Sequence, residues 1–232
     1  NDQLQAGFND AQKNQAEDPA KKDMKDYRIG YNIGTKFKMD KINIQFDQFQ
    51  KGLSDGGQGK TSQIDKKDSQ QAMMAFIQNK MQQYKAQSVL NKKSSAKYMS
   101  NIQSQSGIQT IQKGLYYRVI TPGNGPVPQA TDTVSVNYEG TLPNGTVFDS
   151  SFKRGQPVSF PVNGVIKGWT KTLEKMPVGS TWMVYISPEL AYGENAPQII
   201  GPDQALTFKI DLLKIEKSST SATPQADTKK SS

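Results

Sequence analysis

The spacing of apolar side chains divides this chain into a helical first half and a strand-rich second half. Over residues 24–106 apolar residues recur every three or four positions, which indicates amphipathic helices. From residue 107 on, stretches rich in β-branched and aromatic residues replace this pattern, and residues 133–138 alternate strictly between polar and apolar. The pattern predicts an α+β protein that is all-α at its amino terminus and antiparallel β at its carboxyl terminus.

One long helix is predicted in the middle of the chain. Residues 60–106 contain neither glycine nor proline, so no helix-breaking residue interrupts them. The first half of this helix carries an apolar stripe at helical spacing, formed by Met74, Ile77, Met81 and Tyr84. Beyond Leu90 the helix is polar on nearly every side, as in helices that bridge solvent between domains. About forty residues at ~1.5 Å each would span on the order of 60 Å.

Composition divides the remaining segments. The two ends are polar, and residues 1–65 hold too few large apolar side chains for an independent core. Because the chain has no cysteine and no histidine, disulfides and zinc cannot compensate, which leaves oligomerisation. The predicted organisation is a mobile leader over 1–23, a helical dimerisation domain over 24–65, a long linker helix over 66–106, a mostly β domain over 107–217 and a disordered tail over 218–232.

The lack of cysteine and histidine also excludes whole classes of chemistry. Ser-His-Asp triads, cysteine nucleophiles, histidine acid–base catalysis and zinc sites with nitrogen or sulfur ligands have no residues to build them. We therefore expect neither a metal nor a cofactor. No stretch approaches the ~20 apolar residues that span a membrane. Since the sequence starts at Asn1, we expect a mature chain without its signal peptide.

The net charge of +8 comes mainly from the predicted long helix. Residues 1–65 carry ten basic and ten acidic side chains, whereas residues 66–106 carry seven lysines against Asp68 alone. This helix is either a solvated spacer or a surface for a weakly bound anionic partner such as lipopolysaccharide or nucleic acid. Aromatic residues, which single-strand readers combine with basic ones, are sparse there, so the spacer is favoured.

Several separated motifs in the second half resemble the FKBP-type peptidyl-prolyl cis-trans isomerases. They are Tyr138-Glu-Gly-Thr-Leu-Pro-Asn-Gly-Thr-Val-Phe148-Asp149, Val165-Ile-Lys-Gly-Trp169 and Ile186-Ser-Pro-Glu-Leu-Ala-Tyr192-Gly193, in the family's order. The resemblance covers about residues 107–217. It implies an antiparallel sheet wrapped around a short helix and acceleration of X–Pro isomerisation in unfolded or exposed protein chains. An apolar aromatic pocket would do this without covalent or metal chemistry.

The resemblance also implies a role for individual residues. Trp169 is expected as the floor under the proline ring, Asp149 is expected to face the rotating amide, and the Tyr192 hydroxyl is expected to donate to a substrate carbonyl. Phe148 completes the expected catalytic set. The expected substrate-binding residues are Tyr138, Phe160, Val165, Ile166, Ile200 and Phe208. The family also binds macrolides such as tacrolimus, and the same ligand class is expected here, although the loop over 194–199 looks shorter than in eukaryotic members.

The first half is similar to the macrophage infectivity potentiator (Mip) type of this family. The segment Lys25-Asp-Tyr-Arg-Ile-Gly-Tyr-Asn-Ile-Gly34, followed by a methionine-rich helix and an FKBP-type domain, carries this similarity. In that type the amino-terminal helices of two chains interlock. The similarity implies a homodimer in a bacterial cell envelope, whether periplasmic, associated with the outer membrane or secreted. A monomer with an uninvolved helical hairpin stays open.

A second function also stays open. The chain could be an envelope chaperone or adhesion module in which isomerase activity is incidental. In that case Met73, Met74 and Met81 would provide an adaptable apolar surface, because methionine side chains are flexible and polarisable.

Overall fold

A computed structural model describes residues 2–13, 15, 19–21, 24–39, 42, 44–60 and 65–216. The chain divides into two compact units, Asn1–Phe76 and Ile77–Ser232, and the boundary falls inside one long helix. The tail predicted over 218–232 lies outside the described residues.

Three helices make up most of the first unit: α1 (Asp2–Gln12), α2 (Lys25–Met39) and α3 (Phe46–Gly57). Helices α1 and α2 approach closely because Gly30 has no side chain. A Cβ at this position would lie 1.9 Å from the Leu4 carbonyl oxygen. Packed rings connect all three helices, and they belong to Phe8, Phe37, Phe46 and Phe49.

Helix α1 differs from the sequence-based expectation. A mobile leader was expected over residues 1–23, whereas the structure has a helix there that buries Phe8 and Ala11. Leu4, Phe8 and Ala11 follow one another at helical spacing, so the few apolar residues of a polar segment lie on one face. Overall composition averages over that alignment, and therefore misses it.

Helix α4 (Lys66–Gln103) has the predicted length but not the predicted solvation. The apolar stripe of its first half, including Met74, Ile77 and Met81, is exposed. Its second half is buried on one side, through the polar residues Ser88, Asn91 and Ser95 and through Met99 and Ile102, which pack on Tyr116, Tyr185 and Ala205. The expectation of a helix solvated on all sides is therefore wrong for residues 88–102.

A seven-stranded antiparallel sheet forms the body of the second unit. Its strands are β1 (Gln109–Gln112), β2 (Leu115–Thr121), β3 (Thr133–Thr141), β4 (Val147–Ser150), β5 (Val158–Pro161), β6 (Thr181–Ile186) and β7 (Leu206–Glu216). Their order is β1-β2-β6-β7-β3-β4, with β5 paired to β3. This arrangement confirms the predicted α+β fold.

Two short helices complete this unit: α5 (Ser151–Arg154) and α6 (Lys167–Leu173). Trp169 and Leu173 of α6 share one buried core with side chains from the sheet, among them Val136 and Ile210. The sheet therefore covers α6 on one side, and the aromatic residues at that contact are available to form a pocket. Among the described residues, no helix has the length and apolar character needed to cross a membrane.

Candidate active site

An apolar pocket of about 430 Å³ opens beside α6. Its lining residues are Tyr138, Phe148, Asp149, Phe160, Gly164, Val165, Ile166, Trp169, Tyr192 and Phe208. They come from β3, β4, β5, β7, α6 and two connecting loops. The fold therefore brings together all of the site residues expected from the sequence except Ile200.

Trp169 forms the base of this pocket and is only 4% exposed. Three rings contact its indole edge-on: Phe208 at a centroid distance of 5.2 Å, Tyr138 at 5.3 Å and Phe160 at 5.8 Å. Edge-to-face packing is the favoured geometry of aromatic pairs and fixes the orientation of each ring. The indole Nε1 is buried and has no hydrogen-bond partner among the described residues.

Phe148 and Phe208 close one side of the pocket over Gly140. Their rings meet at 88° with centroids 5.7 Å apart. In the sheet, Gly140 of β3 stands opposite Phe208 on β7 and opposite Asp149 on β4. A Cβ on Gly140 would lie 2.6 Å from Phe148 Cζ and 2.8 Å from Phe208 Cε1. The two rings therefore occupy space that only glycine leaves free.

The pocket also carries a hydrogen-bonded triangle of polar side chains. Tyr138 Oη donates to one carboxylate oxygen of Asp149, and Arg154 Nη1 donates to the other. Arg154 Nη2 donates to Tyr138 Oη at 2.9 Å, which closes the triangle. Both oxygens of Asp149 thus have partners within the chain. Asp149 is consequently a fixed negative charge rather than a free general base.

These contacts also set the charge state of the triangle. Burial pulls the pKa of Asp149 upward, but the hydrogen bonds from Tyr138 and Arg154 and the charge of Arg154 outweigh it, so this pKa lies below its ordinary value. Burial, and then the hydrogen bond to Asp149, raise the pKa of Tyr138. At neutral pH the triangle therefore holds an ionised carboxylate and a protonated phenol.

Tyr192 lies at the mouth of the pocket, between the short turns Pro188–Leu190 and Gly193–Asn195. It is 41% exposed, so its ring can be reached from solvent. Burial, and then the nearby charge of Asp149, raise the pKa of its hydroxyl, which keeps it protonated. Tyr192 can therefore donate a hydrogen bond to a ligand in the pocket.

Two residues show the limits of the sequence-based assignment. Ile200 is 6% exposed and packs in the core rather than in the pocket lining, whereas its neighbour Ile199 is 60% exposed. Arg154 was not singled out, although it contacts both Tyr138 and Asp149. The sequence shows only a basic side chain five positions after Asp149, whereas the short helix that Ser150 caps and that carries this side chain is seen in the structure.

A second cavity, of about 590 Å³, lies between α4 and the sheet. Its lining is mixed, with Lys92 and Lys113 near Glu189 and a single aromatic ring, Tyr116. The convergent rings of the first pocket are missing from it. The pocket over Trp169 is therefore the better candidate for an aromatic binding site.

The chain matches two family models. The model for FKBP-type peptidyl-prolyl cis-trans isomerases matches residues 125–213. The model for the domain that precedes this isomerase matches residues 22–119. The first match contains every lining residue of the pocket, and the second contains α2, α3 and α4.

Relatives and solved structures extend the match over most of the chain. The peptidyl-prolyl cis-trans isomerase Mip of Coxiella burnetii is 40% identical, over 82% of this chain and 85% of the relative. The outer membrane protein MIP of Legionella longbeachae is 38% identical, over 84% and 86%. The crystal structure of FkpA from Escherichia coli, 31% identical, superposes with a TM-score of 0.61 over 84% of this chain and 98% of that one. The chain therefore belongs to the FKBP-type peptidyl-prolyl cis-trans isomerases, of the Mip type.

Proposed function

We propose that the pocket over Trp169 is where this isomerase binds the proline of an unfolded or surface-exposed polypeptide and speeds rotation of the preceding amide bond. The flat indole with three rings standing edge-on around it supports this most strongly, because it leaves a slot for a small apolar ring. The polar side chains Tyr138, Asp149 and Tyr192 line the same pocket and can contact the peptide backbone beside the proline.

The reaction needs no nucleophile, general base or metal. Rotation about an X–Pro bond breaks the partial double-bond character of the amide, with a barrier of ~18–20 kcal/mol, and no covalent bond is exchanged. The twisted amide has lost its resonance and is less polar than the planar form. A pocket that removes water from the amide therefore favours the twisted state relative to the planar one.

The polar groups would hold the peptide around the rotating bond. In this proposal the Tyr192 hydroxyl donates to one substrate carbonyl, and the backbone N–H of Ile166 donates to a neighbouring one. As the bond twists, the carbonyl carbon loses electron donation from nitrogen. The fixed carboxylate of Asp149 then stabilises it, at no cost of reorganisation because Tyr138 and Arg154 already hold the carboxylate.

A short-peptide isomerisation assay tests this assignment. We expect the wild-type chain to accelerate isomerisation and Tyr192→Phe to lower kcat/KM about 5- to 10-fold, the cost of one lost hydrogen bond to the substrate. Tyr117→Phe is the matched control, because Tyr117 stacks on Trp182 away from the pocket and bonds to Gln109. Equal activity of both variants would remove Tyr192 from the site.

We also propose that two chains associate through the first unit. The match of residues 22–119 to the domain that precedes these isomerases supports this. So does the exposure of the apolar side chains Ile29 on α2 and Leu53 on α3, each of which is about half exposed. Sedimentation equilibrium tests the proposal, since a monomer at micromolar concentration contradicts it.

For its location we propose a bacterial cell envelope. The relative from Legionella longbeachae is named an outer membrane protein, and the family type is the same. Cell fractionation with an antibody against this chain tests the location. A signal confined to the cytoplasmic fraction contradicts it.

Macrolides of the tacrolimus type are proposed as ligands of the same pocket, because it is apolar, open at the mouth and lined by the matched family motifs. Quenching of tryptophan fluorescence on titration with tacrolimus measures the affinity. Trp169 reports binding directly, since it forms the pocket base. Unchanged fluorescence together with uninhibited activity contradicts macrolide binding.

A chaperone function is the second candidate, and the exposed methionines of α4 favour it. Met73, Met74 and Met81 leave flexible apolar side chains uncovered, which suits the capture of varied unfolded chains. Suppression of client aggregation by Asp149→Ala separates the two functions. Full suppression by this variant, whose isomerase activity should be strongly reduced, would assign this action to surfaces outside the pocket.

A further inference from the structure

Helix α4 and the loop that follows Tyr192 are joined by a cluster of buried polar contacts. Asn91 Nδ2 donates to the Pro202 carbonyl at 2.6 Å, and Ser88 Oγ donates to the Asp203 carboxylate at 2.5 Å. Ser95 Oγ donates to the Asp203 carbonyl at 3.0 Å and accepts from the Ala205 N–H at 2.8 Å. All of these residues lie within the second unit.

The helical side of this cluster is one narrow face. Ser88, Asn91 and Ser95 follow one another at steps of three and four residues, so they point in one direction. Ser95 is only 1% exposed, and the other two are also buried. Buried polar groups are directional, and they fix a contact more narrowly than apolar packing does. This face therefore holds residues 202–205 in one position.

Asp203 transmits this position to the pocket. Its φ of 53° is the only positive value among the described non-glycine residues, so the surrounding contacts must hold this backbone in place. Its N–H donates to the Gly193 carbonyl at 2.8 Å, which closes the base of the loop. Tyr84 of the same helix donates its hydroxyl to the Glu194 carbonyl. Gly193 and Glu194 directly follow Tyr192, so both contacts restrain the backbone that carries the Tyr192 ring.

We propose that Ser88, Asn91, Ser95 and Asp203 are positioning residues that place the Tyr192 hydroxyl for the substrate carbonyl. Helix α4 is then part of the catalytic machinery of its own isomerase domain, and not only a connection to the first unit. This inference rests on the proposed role of Tyr192 in the pocket. It assigns no direct substrate contact to the four positioning residues.

A double-mutant cycle on short peptides tests whether the effect passes through Tyr192. We expect Asn91→Ala to lower kcat/KM about 3- to 10-fold in the wild-type background, since small displacements of an aligned group are costly. In the Tyr192→Phe background the same change should have less than about a 2-fold effect, because the hydroxyl is already gone. In the Asp149→Ala background the full effect should persist, since Asp149 belongs to another wall.

Two further variants separate positioning from general loss of structure. Lys93 lies on an exposed part of the same helix, so Lys93→Ala should keep wild-type activity. Asp203→Asn retains an acceptor for Ser88 and a residue type that tolerates positive φ, and should keep most activity, whereas Asp203→Ala should not. An equal loss from Asn91→Ala in all three backgrounds, or no loss in any, overturns the proposal.

Hydrogen exchange supplies a readout that does not depend on activity. In Asn91→Ala the amide of Asp203, which bonds to Gly193, should exchange about 10-fold faster than in wild type, while amides of β6 stay unchanged. Unchanged exchange at Asp203 overturns the positioning role even if the wild-type chain proves inactive on peptides. If the wild-type chain is inactive on peptides but Asn91→Ala still speeds exchange at Asp203, the result contradicts only the proposed function of the pocket.

Discussion

The chain presents two apolar surfaces that differ in almost every physical respect. In the pocket over Trp169, rings from distant parts of the sequence are locked edge-on against one another. On α4, the stripe of Met74, Ile77 and Met81 comes from one continuous stretch, and about half or more of each side chain is exposed. The first surface has one fixed shape, whereas the flexible side chains of the second surface can adopt many shapes.

Under the proposed chaperone function, this difference predicts a division of labour in substrate binding. A rigid slot discriminates, because only a small ring with a planar amide beside it fills the slot without strain. An adaptable stripe accepts unlike sequences but holds each of them weakly. Short peptides should therefore depend on the pocket alone, and unfolded proteins on both surfaces. The following predictions are ordered from the largest expected effect to the smallest.

Replacing Asp149 should have the largest effect, and only on the pocket. In Asp149→Ala we expect kcat/KM on a short X–Pro peptide to fall about 10- to 100-fold, since a fixed charge beside the reacting amide is lost. Protease-coupled peptide assays measure this. Asp132→Asn is the control and should retain full activity. Asp132 lies at a turn, where its carboxylate accepts a hydrogen bond from the Gln129 N–H. Retained activity in Asp149→Ala would mean that the polar wall has no catalytic role.

Gly140→Ala tests the rigidity of the pocket. A methyl group here would displace the rings of Phe148 and Phe208, so we expect about 1–3 kcal/mol of lost stability and about 10-fold lower activity. Thermal unfolding and peptide assays measure the two effects. Gly52→Ala is the control, because a Cβ at this position in the interior of α3 would meet nothing within 4 Å. Gly52→Ala should therefore stabilise by about 0.5–1 kcal/mol. A stable, fully active Gly140→Ala would show that the rings are mobile.

Polar substitutions in the stripe should separate the contributions of the two surfaces to substrate binding. In the double variant Ile77→Ser with Met81→Ser, we expect unchanged activity on short peptides. Proline-limited refolding of a protein substrate should slow about 2- to 5-fold, since the second binding contact is lost. Val89→Ser is the control, because Val89 is 67% exposed on another face of the same helix. Equal slowing by Val89→Ser would mean that any added polar group on this helix slows refolding, and that the stripe has no specific role.

Acidity should have the smallest effect near neutral pH. The pKa of Asp149 is lowered and those of Tyr138 and Tyr192 are raised, so kcat/KM should vary less than about 2-fold between about pH 5 and 9. Because folding lowers the pKa of Asp149, its contribution to stability is present above the ordinary value and lost as pH falls through the lowered one. A titration of activity near pH 7 would contradict these charge states.

Much of the pocket could be predicted because its residues lie in motifs with fixed order and spacing. Tyr138, Phe148, Asp149, Trp169 and Tyr192 were all assigned from such motifs, and the structure gathers them. Arg154 could not be assigned, since its contact with Tyr138 depends on how α5 turns after β4. Ile200 is buried and Ile199 is exposed. This choice is made by the turn in which the N–H groups of Ile200 and Gly201 both donate to the Pro197 carbonyl. Adjacent isoleucines carry no sequence signal for that choice.

The sequence by itself determined most of the segments that are helices or strands, because periodicity and propensity are local properties that each segment carries alone. Helix α1 is an exception, since the polar composition of residues 1–23 concealed it. The sequence also excluded cysteine- and histidine-based chemistry, because the chain has neither residue, and its motifs indicated the isomerase family. Only the tertiary structure decided that the polar half of α4 is buried while its apolar stripe stays exposed. Burial depends on which surface a helix meets, and here Ser88, Asn91 and Ser95 meet loop backbone whose donors and acceptors need polar partners.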